Sequence, residues 1–221
     1  MGRHRSTVRW AMSPADHWGE YARKTIKDHT PRPLLLRALE QRGAGPRAAR
    51  RTALDLGSGA GNETLALLER GWTVTALDSN AEALEVVRSR AAPDARLTLL
   101  HAPFHRLPRR RYALIHASLS LPFCPPELWQ RTWRVMRSRV ALGGLLAATF
   151  FGQRDGWAAE PEMSFAALED VPGLLPGFGL EVLEEWEGET ALALGGTHRS
   201  HLITVIARRG RAPEAAGGAA P

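Results

Sequence analysis

Apolar and polar residues alternate in blocks that predict strands and helices in turn. Short apolar runs form the predicted strands, at 53–56, 72–77, 97–100, 112–117 and 145–151. Between the last two, Trp129, Trp133, Met136 and Val140 recur at helical spacing and predict one buried helix face. Strands that alternate with helices are typical of a parallel sheet, so the pattern predicts an α/β fold of the doubly wound class.

Two more helices are predicted before the first strand. Residues 13–16 combine a serine N-cap, a proline at the first helical position and an acid in the first turn, and the helix that starts there carries Trp18, Tyr21 and Ile26. A second helix is expected over 30–43. A linker rich in Gly, Pro and Arg then leads to the first strand.

The most informative stretch is the turn that follows the first strand. Gly57, Gly59 and Gly61 stand at alternate positions shortly after Asp55, where the backbone must turn sharply and leave room for a ligand. A dinucleotide-binding turn reads G-x-G-x-x-G, and Asn62 occupies its last position here. The G-x-G-x-G spacing therefore indicates a nucleotide-type ligand and fits the dinucleotide template less well.

A second acidic residue ends the next predicted strand. After a helix that stops at Gly71, strand 72–77 runs into Asp78. An acid at this position suits a ribose, because both hydroxyls of the sugar can donate to one carboxylate. Ser79 is expected to cap the following helix, over 81–91.

Asp55, the glycine turn and Asp78 together resemble the cofactor site of class I S-adenosylmethionine-dependent methyltransferases, and the resemblance spans roughly residues 55–208. It implies a Rossmann-like, seven-stranded, mostly parallel sheet with an antiparallel C-terminal edge strand, built around a last strand pair at 180–186 and 201–208. It implies S-adenosyl-L-methionine as cofactor and S-adenosyl-L-homocysteine as product.

The same resemblance assigns the cofactor contacts. The glycines would lie along the methionine, Asp55 near its amino group and Asp78 on the ribose. The family usually carries an acid beside the adenine, where this chain has Ala102. The implied cofactor-binding residues are Asp55, Gly57, Ser58, Gly59, Gly61, Asp78, Ser79, Ala102, Pro103, Phe104 and Ser118.

Later segments are similar to small bacterial stand-alone methyltransferases of the type 11/12 group, including the tellurite-resistance branch. These segments are 120–125, 151–157, a helix start at 163–165, Thr190-Ala-Leu and the pair His198 and His201. The glycine turn departs from the family, which has an acid where this chain has Ala60 and Arg-Asp where it has Asn62-Glu63. These departures raise the possibility of altered cofactor affinity or a drifted activity.

Candidate acceptor contacts come from four places in the chain. The N-terminal helix is expected either to pack simply or to lie over the cofactor as a lid. The loop after strand four lines the methyl-transfer site in the family, Arg154 is suited to clamping a carboxylate, and Trp157 to facing a flat or cationic group. His198 is the candidate catalytic base, with a plain structural role as the alternative. The candidate substrate residues are Trp18, Tyr21, Ser120, Phe123, Arg154, Trp157 and His201.

Composition limits the class of partner. The formal net charge is +6, and the excess lies in residues 1–51, where 12 Lys or Arg face 4 Asp or Glu, while the remainder carries a net −2. No aromatic residues interleave a basic strand, so a solvated basic face is favoured over a nucleic-acid groove. Cys124 is the single cysteine and is expected to be a packed thiol, and the histidine spacings predict no metal site.

The chain length suits one domain, over 13–209, with its N-terminal helices in 13–50. Residues 1–12 are expected to form a flexible basic terminus and 210–221 a disordered tail. With no membrane segment and one cysteine, a cytoplasmic monomer or homodimer is expected.

The leading hypothesis is methyl transfer to an O, N or S atom of a small molecule. One alternative is an RNA or protein methyltransferase that docks its substrate through the basic N-terminus. Another is a non-catalytic S-adenosylmethionine-binding protein, motivated by Ala60 and Ala102. A nucleotide-linked dehydrogenase is the last alternative, and the glycine spacing argues against it.

Overall fold

A computed structural model describes residues 14–26, 30–41 and 51–210 of the chain. The flexible terminus predicted at 1–12, the cap at Ser13, most of the linker and the tail from 211 onward lie outside these ranges.

One mixed sheet organises the described residues. Its strands are β1 (Thr52–Leu56), β2 (Thr73–Asp78), β3 (Leu97–His101), β4 (Tyr112–Ala117), β5 (Val140–Gly152), β6 (Phe165–Ala166), β7 (Phe178–Ala191) and β8 (Thr197–Arg209). The order is β3-β2-β1-β4-β5-β8-β7, with β6 paired to the end of β5. β1 to β5 run parallel, and β8 is antiparallel to both of its neighbours, β5 and β7, so the predicted seven-stranded, mostly parallel sheet is confirmed, with β6 as a short eighth strand.

Five α-helices flank the sheet: α1 (Pro14–Lys24), α2 (Pro33–Gln41), α3 (Asn62–Glu69), α4 (Ala81–Arg90) and α5 (Pro126–Arg139). Because strand side chains alternate between faces, β4 supplies Leu114 to the core under α2 and α3 and Ile115 to the core under α5. On the α5 side, the Trp133 indole N–H also donates to the Leu174 carbonyl oxygen at 2.7 Å. The two cores hold the carboxyl ends of the parallel strands in register.

Several local predictions were wrong. No helix starts at 163–165, because Phe165 begins β6 and pairs with Phe151 of β5, while Met163 and Ser164 lie in the turn before it. The cap of α4 is Asn80, whose side chain accepts from the Ala83 N–H at 2.9 Å, and not Ser79.

Three helix and strand boundaries also differ from the predictions. Ile26 lies beyond the end of α1 and is 48% exposed. α5 ends at Arg139, so Val140, which was predicted on its buried face, is the first residue of β5. The last hairpin, formed by β7 and β8, is longer than predicted at both ends. Among the described helices, none has the length and apolar character needed to cross a bilayer.

Candidate functional site

The glycine turn between β1 and α3 is shaped by three left-handed residues. Gly57, Gly59 and Gly61 have φ of +73°, +49° and +78°, a region that side-chain-bearing residues avoid. A Cβ on Gly57 would lie 2.4 Å from the Cβ of Ser120, and one on Gly61 would lie 2.8 Å from Cγ2 of Val87. The first and third glycines are therefore required by their neighbours as well as by the backbone.

Gly59 differs from the other two, because a Cβ there would meet no heavy atom within 4 Å. Its N–H donates to Oδ2 of Asp78 at 2.9 Å. The outer side of the turn is therefore open, and its middle glycine is held in place from the neighbouring strand. This open side is where a ligand can approach the backbone closely.

Asp78 ends β2 beside this opening, as the sequence predicts. Its carboxylate accepts from the Gly59 and Asn80 N–H groups, each at 2.9 Å, and the side chain is half-buried. Burial raises the pKa of Asp78, and the two N–H donors oppose that rise. Each carboxylate oxygen keeps a lone pair, so the group can still accept from a ribose.

This raised pKa predicts a pH dependence of ligand binding. As pH falls through the pKa of Asp78, the carboxylate loses acceptor capacity, so affinity for a ribose-bearing ligand should fall at a higher pH than an ordinary aspartate would produce. The effect of Asp78 on the stability of the ligand-free protein has the opposite sign. Because burial favours the protonated form, this contribution to stability is lost as pH rises through the pKa of Asp78. Calorimetric titration with S-adenosylhomocysteine from pH 7 to pH 4.5 measures the affinity. The Asp78→Asn variant is the control, and an identical pH profile in both proteins would contradict the assignment.

Asp55 is buried at 2% exposure, and both of its oxygens have partners. Oδ2 accepts from the Thr64 hydroxyl at 2.7 Å, and Oδ1 lies 3.2 Å from Nδ1 of His116. Asp55 thus joins β1 to α3 and β4 from inside the protein. The methionine contact that the resemblance implies for Asp55 remains a prediction.

The residues predicted for the adenine side come together at the ends of β2 and β3. The Ala102 N–H donates to the Asp78 carbonyl oxygen at 3.1 Å, and Nε2 of His101 lies 3.0 Å from the Ser79 carbonyl oxygen. Phe104 reaches across to the turn, with Cζ 3.5 Å from the position of a Cβ on Gly57. Ala102 and Phe104 therefore form an apolar wall beside the open turn, with Ser79 and Pro103 exposed at its rim.

The loop after β4 closes against the same turn. The Ser120 hydroxyl donates to the Leu56 carbonyl oxygen at 2.6 Å, and its Cβ packs on Gly57. Leu119 has φ of +54°, a conformation that costs a non-glycine residue roughly 1–2 kcal/mol. The Ser120 hydroxyl is thus used to fix the loop to β1. Ser118, at the end of β4, is half-buried.

Helix α1 crosses the carboxyl edge of the sheet. Arg23 pairs with Glu82 of α4, and the Thr25 carbonyl accepts from the Asn62 side-chain amide at 2.9 Å. At its other side, the Trp18 ring meets the Phe123 ring edge-on, with centroids 4.6 Å apart. These contacts place α1 over the glycine turn, the position expected of a lid.

An aromatic cluster lies below α1. Trp18 and Phe123 are joined by Phe151, 6.0 Å from Phe123, and by Trp157, 5.8 Å from Phe151, measured between ring centroids. Tyr21 extends the cluster along α1, 5.7 Å from Trp18. Phe151 is buried and the other four rings are half-buried, so the rings present a partly exposed apolar surface near the turn. We call these five residues the aromatic cluster.

Asp155 organises the turn that carries Trp157. Its carboxylate accepts from the Trp157 N–H at 3.0 Å and the His201 N–H at 3.0 Å, and Oδ1 lies 2.8 Å from Nε2 of His198. The Trp157 ring stacks on the His198 ring at 3.9 Å between centroids. A Cβ on Gly156 would lie 3.1 Å from Nδ1 of His198, so the backbone covers that nitrogen closely.

His201 and Arg154 tie the same turn to β7. Nδ1 of His201 accepts from the Arg154 N–H at 3.0 Å, which leaves Nε2 to donate to Glu185 at 2.8 Å. The Arg154 guanidinium pairs with Glu185 and Glu187. His201 is 2% exposed, and the charge of Arg154 is matched within the hairpin.

Sequence reasoning missed several residues that build this site. The Asn80 N–H donates to Asp78, and the Thr64 hydroxyl donates to Asp55. Asp155 is bonded to His198, and Glu185 to His201. The Phe151 ring lies between those of Phe123 and Trp157. A glycine-flanked acid, Asp155, was the available signal, because a short turn that returns to a strand needs an internal acceptor. Among the described residues, no group of three or more His, Cys, Asp or Glu side chains is arranged to hold a metal ion.

A doubly wound sheet with an open glycine turn after β1 and an acid at the end of β2 defines the architecture of a class I S-adenosylmethionine-dependent methyltransferase. Residues 53–144 match the family model described as a methyltransferase domain. No curated protein matches the sequence.

Solved structures share the fold at low sequence identity. TehB from Haemophilus influenzae is 16% identical with a TM-score of 0.67, over 87% of this chain and 67% of its own. The N-methyltransferase NodS from Bradyrhizobium japonicum WM9, in complex with S-adenosyl-L-homocysteine, is 16% identical with a TM-score of 0.63. The match covers 89% of this chain and 100% of NodS. Burkholderia thailandensis 1,6-didemethyltoxoflavin-N1-methyltransferase is 19% identical with a TM-score of 0.59, over 88% and 81%.

Residues 53–144 thus match a methyltransferase domain, and the fold is the one shared with class I S-adenosylmethionine-dependent methyltransferases, whose cofactor is S-adenosyl-L-methionine. The residues present fit that cofactor. Gly59 leaves room for it at the backbone, and Asp78 keeps free acceptor positions at the place a ribose requires.

Proposed function

We propose that the protein transfers a methyl group from S-adenosylmethionine to an O, N or S atom of a small molecule bound at the aromatic cluster. The observation that carries this proposal is that the cluster joins α1 to the loop after β4, which packs on the glycine turn. Phe123 lies three residues after Ser120, whose Cβ packs on Gly57, so the rings adjoin the cofactor turn. A small, partly buried cluster of rings suits a small ring-bearing acceptor better than a polymer.

The sulfonium of the bound cofactor is itself a strong methyl donor, so the protein chiefly has to align the acceptor and exclude water. Under our proposal, Asp78 and the glycine turn hold the nucleoside and the methionine. Trp18 closes the site from above through its contact with Phe123. Trp157 provides a flat surface that orients the acceptor.

We assign His198 a positioning role. Nε2 of His198 is bonded to Asp155, and its ring face supports Trp157. His201 and Arg154 then serve to fix the turn on the β7–β8 hairpin. If His198 instead takes a proton from the acceptor, His198→Gln will remove the acidic limb of the pH–rate profile. A positioning role predicts a raised KM with that limb intact.

Trp157→Ala should weaken acceptor binding about tenfold, or about 1.4 kcal/mol, because the variant loses the flat surface beside Phe123. The affinity for S-adenosylhomocysteine should stay within about twofold, since Trp157 does not touch the glycine turn. Steady-state kinetics give the acceptor KM, and calorimetry gives the cofactor affinity. Trp129→Ala is the matched control, because Trp129 stacks on Trp133 on the α5 side. An acceptor KM unchanged in Trp157→Ala would contradict this role.

The acceptor class is tested by labelling. The protein is incubated with a cell extract and S-adenosylmethionine that carries a trideuterated methyl group, and the small-molecule, protein and RNA fractions are separated and analysed by mass spectrometry. The proposal predicts label in the small-molecule fraction, lost in the Asp78→Ala variant. Label confined to protein or RNA would overturn it.

A further inference from the structure

Five arginines from three segments of the chain meet at the edge of the sheet opposite the glycine turn. Arg111 directly precedes β4, three others lie on the last turns of α5, and the last ends β8. The amino ends of β4 and β5 and the carboxyl end of the antiparallel β8 share this edge. We call the set the arginine patch: Arg111, Arg134, Arg137, Arg139 and Arg209.

The guanidinium groups of the patch crowd one another. One Nη of Arg209 donates to the carbonyl oxygens of Ser138 at 3.1 Å and Val140 at 2.6 Å, which fixes it against the end of α5. Burial lowers the pKa of Arg209, and repulsion from Arg111 and Arg137 lowers it further. Burial and then repulsion from Arg134 lower the pKa of Arg137 in the same way.

Acidic partners are missing from this edge. Within ranges 14–26, 30–41 and 51–210, none of the five arginines takes part in an ion pair, and the neighbouring acid Glu181 is paired with Arg208. The segments outside those ranges contain only two acids, Asp28 and Glu214, along with several arginines. Within the described residues, the positive charge of the patch is therefore not matched by an ion pair.

Hydrogen-bond donors are also left over. The Nε atoms of Arg137 and Arg139 are buried and have no partner among the described residues. A buried donor without an acceptor is unfavourable, and both donors belong to guanidinium groups that the described residues leave without an ion-pair partner.

We propose that the arginine patch binds the phosphate backbone of a single-stranded nucleic acid. Arginine forks match phosphate oxygens in bidentate geometry, and several of them from three segments of one edge suit phosphates that are spaced along a chain. Trp133 is buried and Trp129 half-buried on the inner side of α5, so no exposed ring there stacks on bases. Recognition is therefore independent of base sequence.

Because the patch and the glycine turn lie on opposite edges of the sheet, the bound nucleic acid is a docking partner and not the methyl acceptor. The site carries no part of the methyl-transfer machinery. Its loss leaves cofactor binding intact, so its test stands apart from that of the proposed function.

Fluorescence anisotropy of a fluorescein-labelled 20-nucleotide oligothymidylate, titrated with the full chain at several salt concentrations, tests the proposal. The patch variant is Arg111→Ala/Arg134→Ala, in which both side chains are exposed. The control, Arg88→Ala/Arg96→Ala, removes two exposed arginines on the α4 and β3 side. The patch variant should bind at least about tenfold more weakly, and its log–log salt slope should be smaller by about 1.4, because each lost phosphate contact removes about 0.7.

The control variant should keep an affinity within about twofold of the wild type. Both variants should keep the wild-type melting temperature and affinity for S-adenosylhomocysteine. Equal weakening in both variants would show a general charge effect and overturn the proposal. So would wild-type binding to phosphatidylglycerol vesicles without binding to the oligonucleotide, or no binding to either.

Discussion

Gly57→Ala is expected to destabilise the protein by about 3 kcal/mol and to abolish cofactor binding. The new Cβ would sit 2.4 Å from the Cβ of Ser120 on a backbone with φ of +73°. Left-handed strain costs roughly 1–2 kcal/mol, and an overpacked contact adds about 1–3 kcal/mol. Denaturant unfolding followed by calorimetry with S-adenosylhomocysteine measures both effects.

Two further alanine variants separate strain from contact. Gly143→Ala has the same φ of +73° in open space far from the turn, so it should cost only the strain and leave cofactor affinity unchanged. Gly59→Ala also meets no neighbour, but its methyl group would enter the ligand space. It should fold with a loss of about 1–2 kcal/mol and lose most of its affinity. Equal affinities for Gly59→Ala and Gly143→Ala would contradict the assigned ligand position.

Asp78→Ala is expected to weaken S-adenosylmethionine binding by at least about tenfold, or about 1.4 kcal/mol. The substitution removes the ribose acceptor and also frees the Gly59 and Asn80 N–H groups that the carboxylate holds. Isothermal titration with the cofactor and with its product measures the change.

The control for this variant is Asp94→Ala, which removes a half-buried acid bonded to Arg96 on the far side of α4 and should leave binding unchanged. Asp78→Asn keeps one acceptor oxygen and should lie between the two. Wild-type affinity in Asp78→Ala would show that the ribose is held elsewhere.

The departures from the family in the glycine turn are explained by contacts with the N-terminal helices. Asn62 bonds the Thr25 carbonyl at the end of α1 and also accepts from Arg90 at 2.8 Å. Glu63 accepts from the Arg32 N–H at 3.0 Å, just before α2. These two positions anchor the N-terminal helices over the turn. The substitutions in the turn are thus coupled to how the site is covered.

The features that sequence reasoning predicted correctly are mostly local in the chain. The alternation of strands and helices along the chain follows from the apolar runs. The glycine turn and the acid at the end of β2 follow from backbone geometry that only glycine adopts easily and from the end of an apolar run. Asn80 was missed as the cap because serine and asparagine stand side by side there, and only the observed backbone shows which side chain faces the Ala83 N–H.

What the sequence could not predict depends on segments far apart in the chain. The 163–165 segment pairs with the end of β5, and that tertiary contact decides its structure against the helix pattern. The role of Asp155 depends on His198 and His201, more than forty residues away along the chain. The excess of positive charge along the sequence lies at the amino end. The arginine patch is not visible there, because its members come from three segments that only the fold brings together.

Isothermal titration of S-adenosylmethionine, S-adenosylhomocysteine and NAD into the wild-type protein tests the central claim most directly. The turn at Gly57, Gly59 and Gly61 and the carboxylate of Asp78 predict one site per chain for both methyl-cycle ligands and no measurable binding of NAD. Binding of NAD in preference, or no binding of either S-adenosyl compound, would contradict the account.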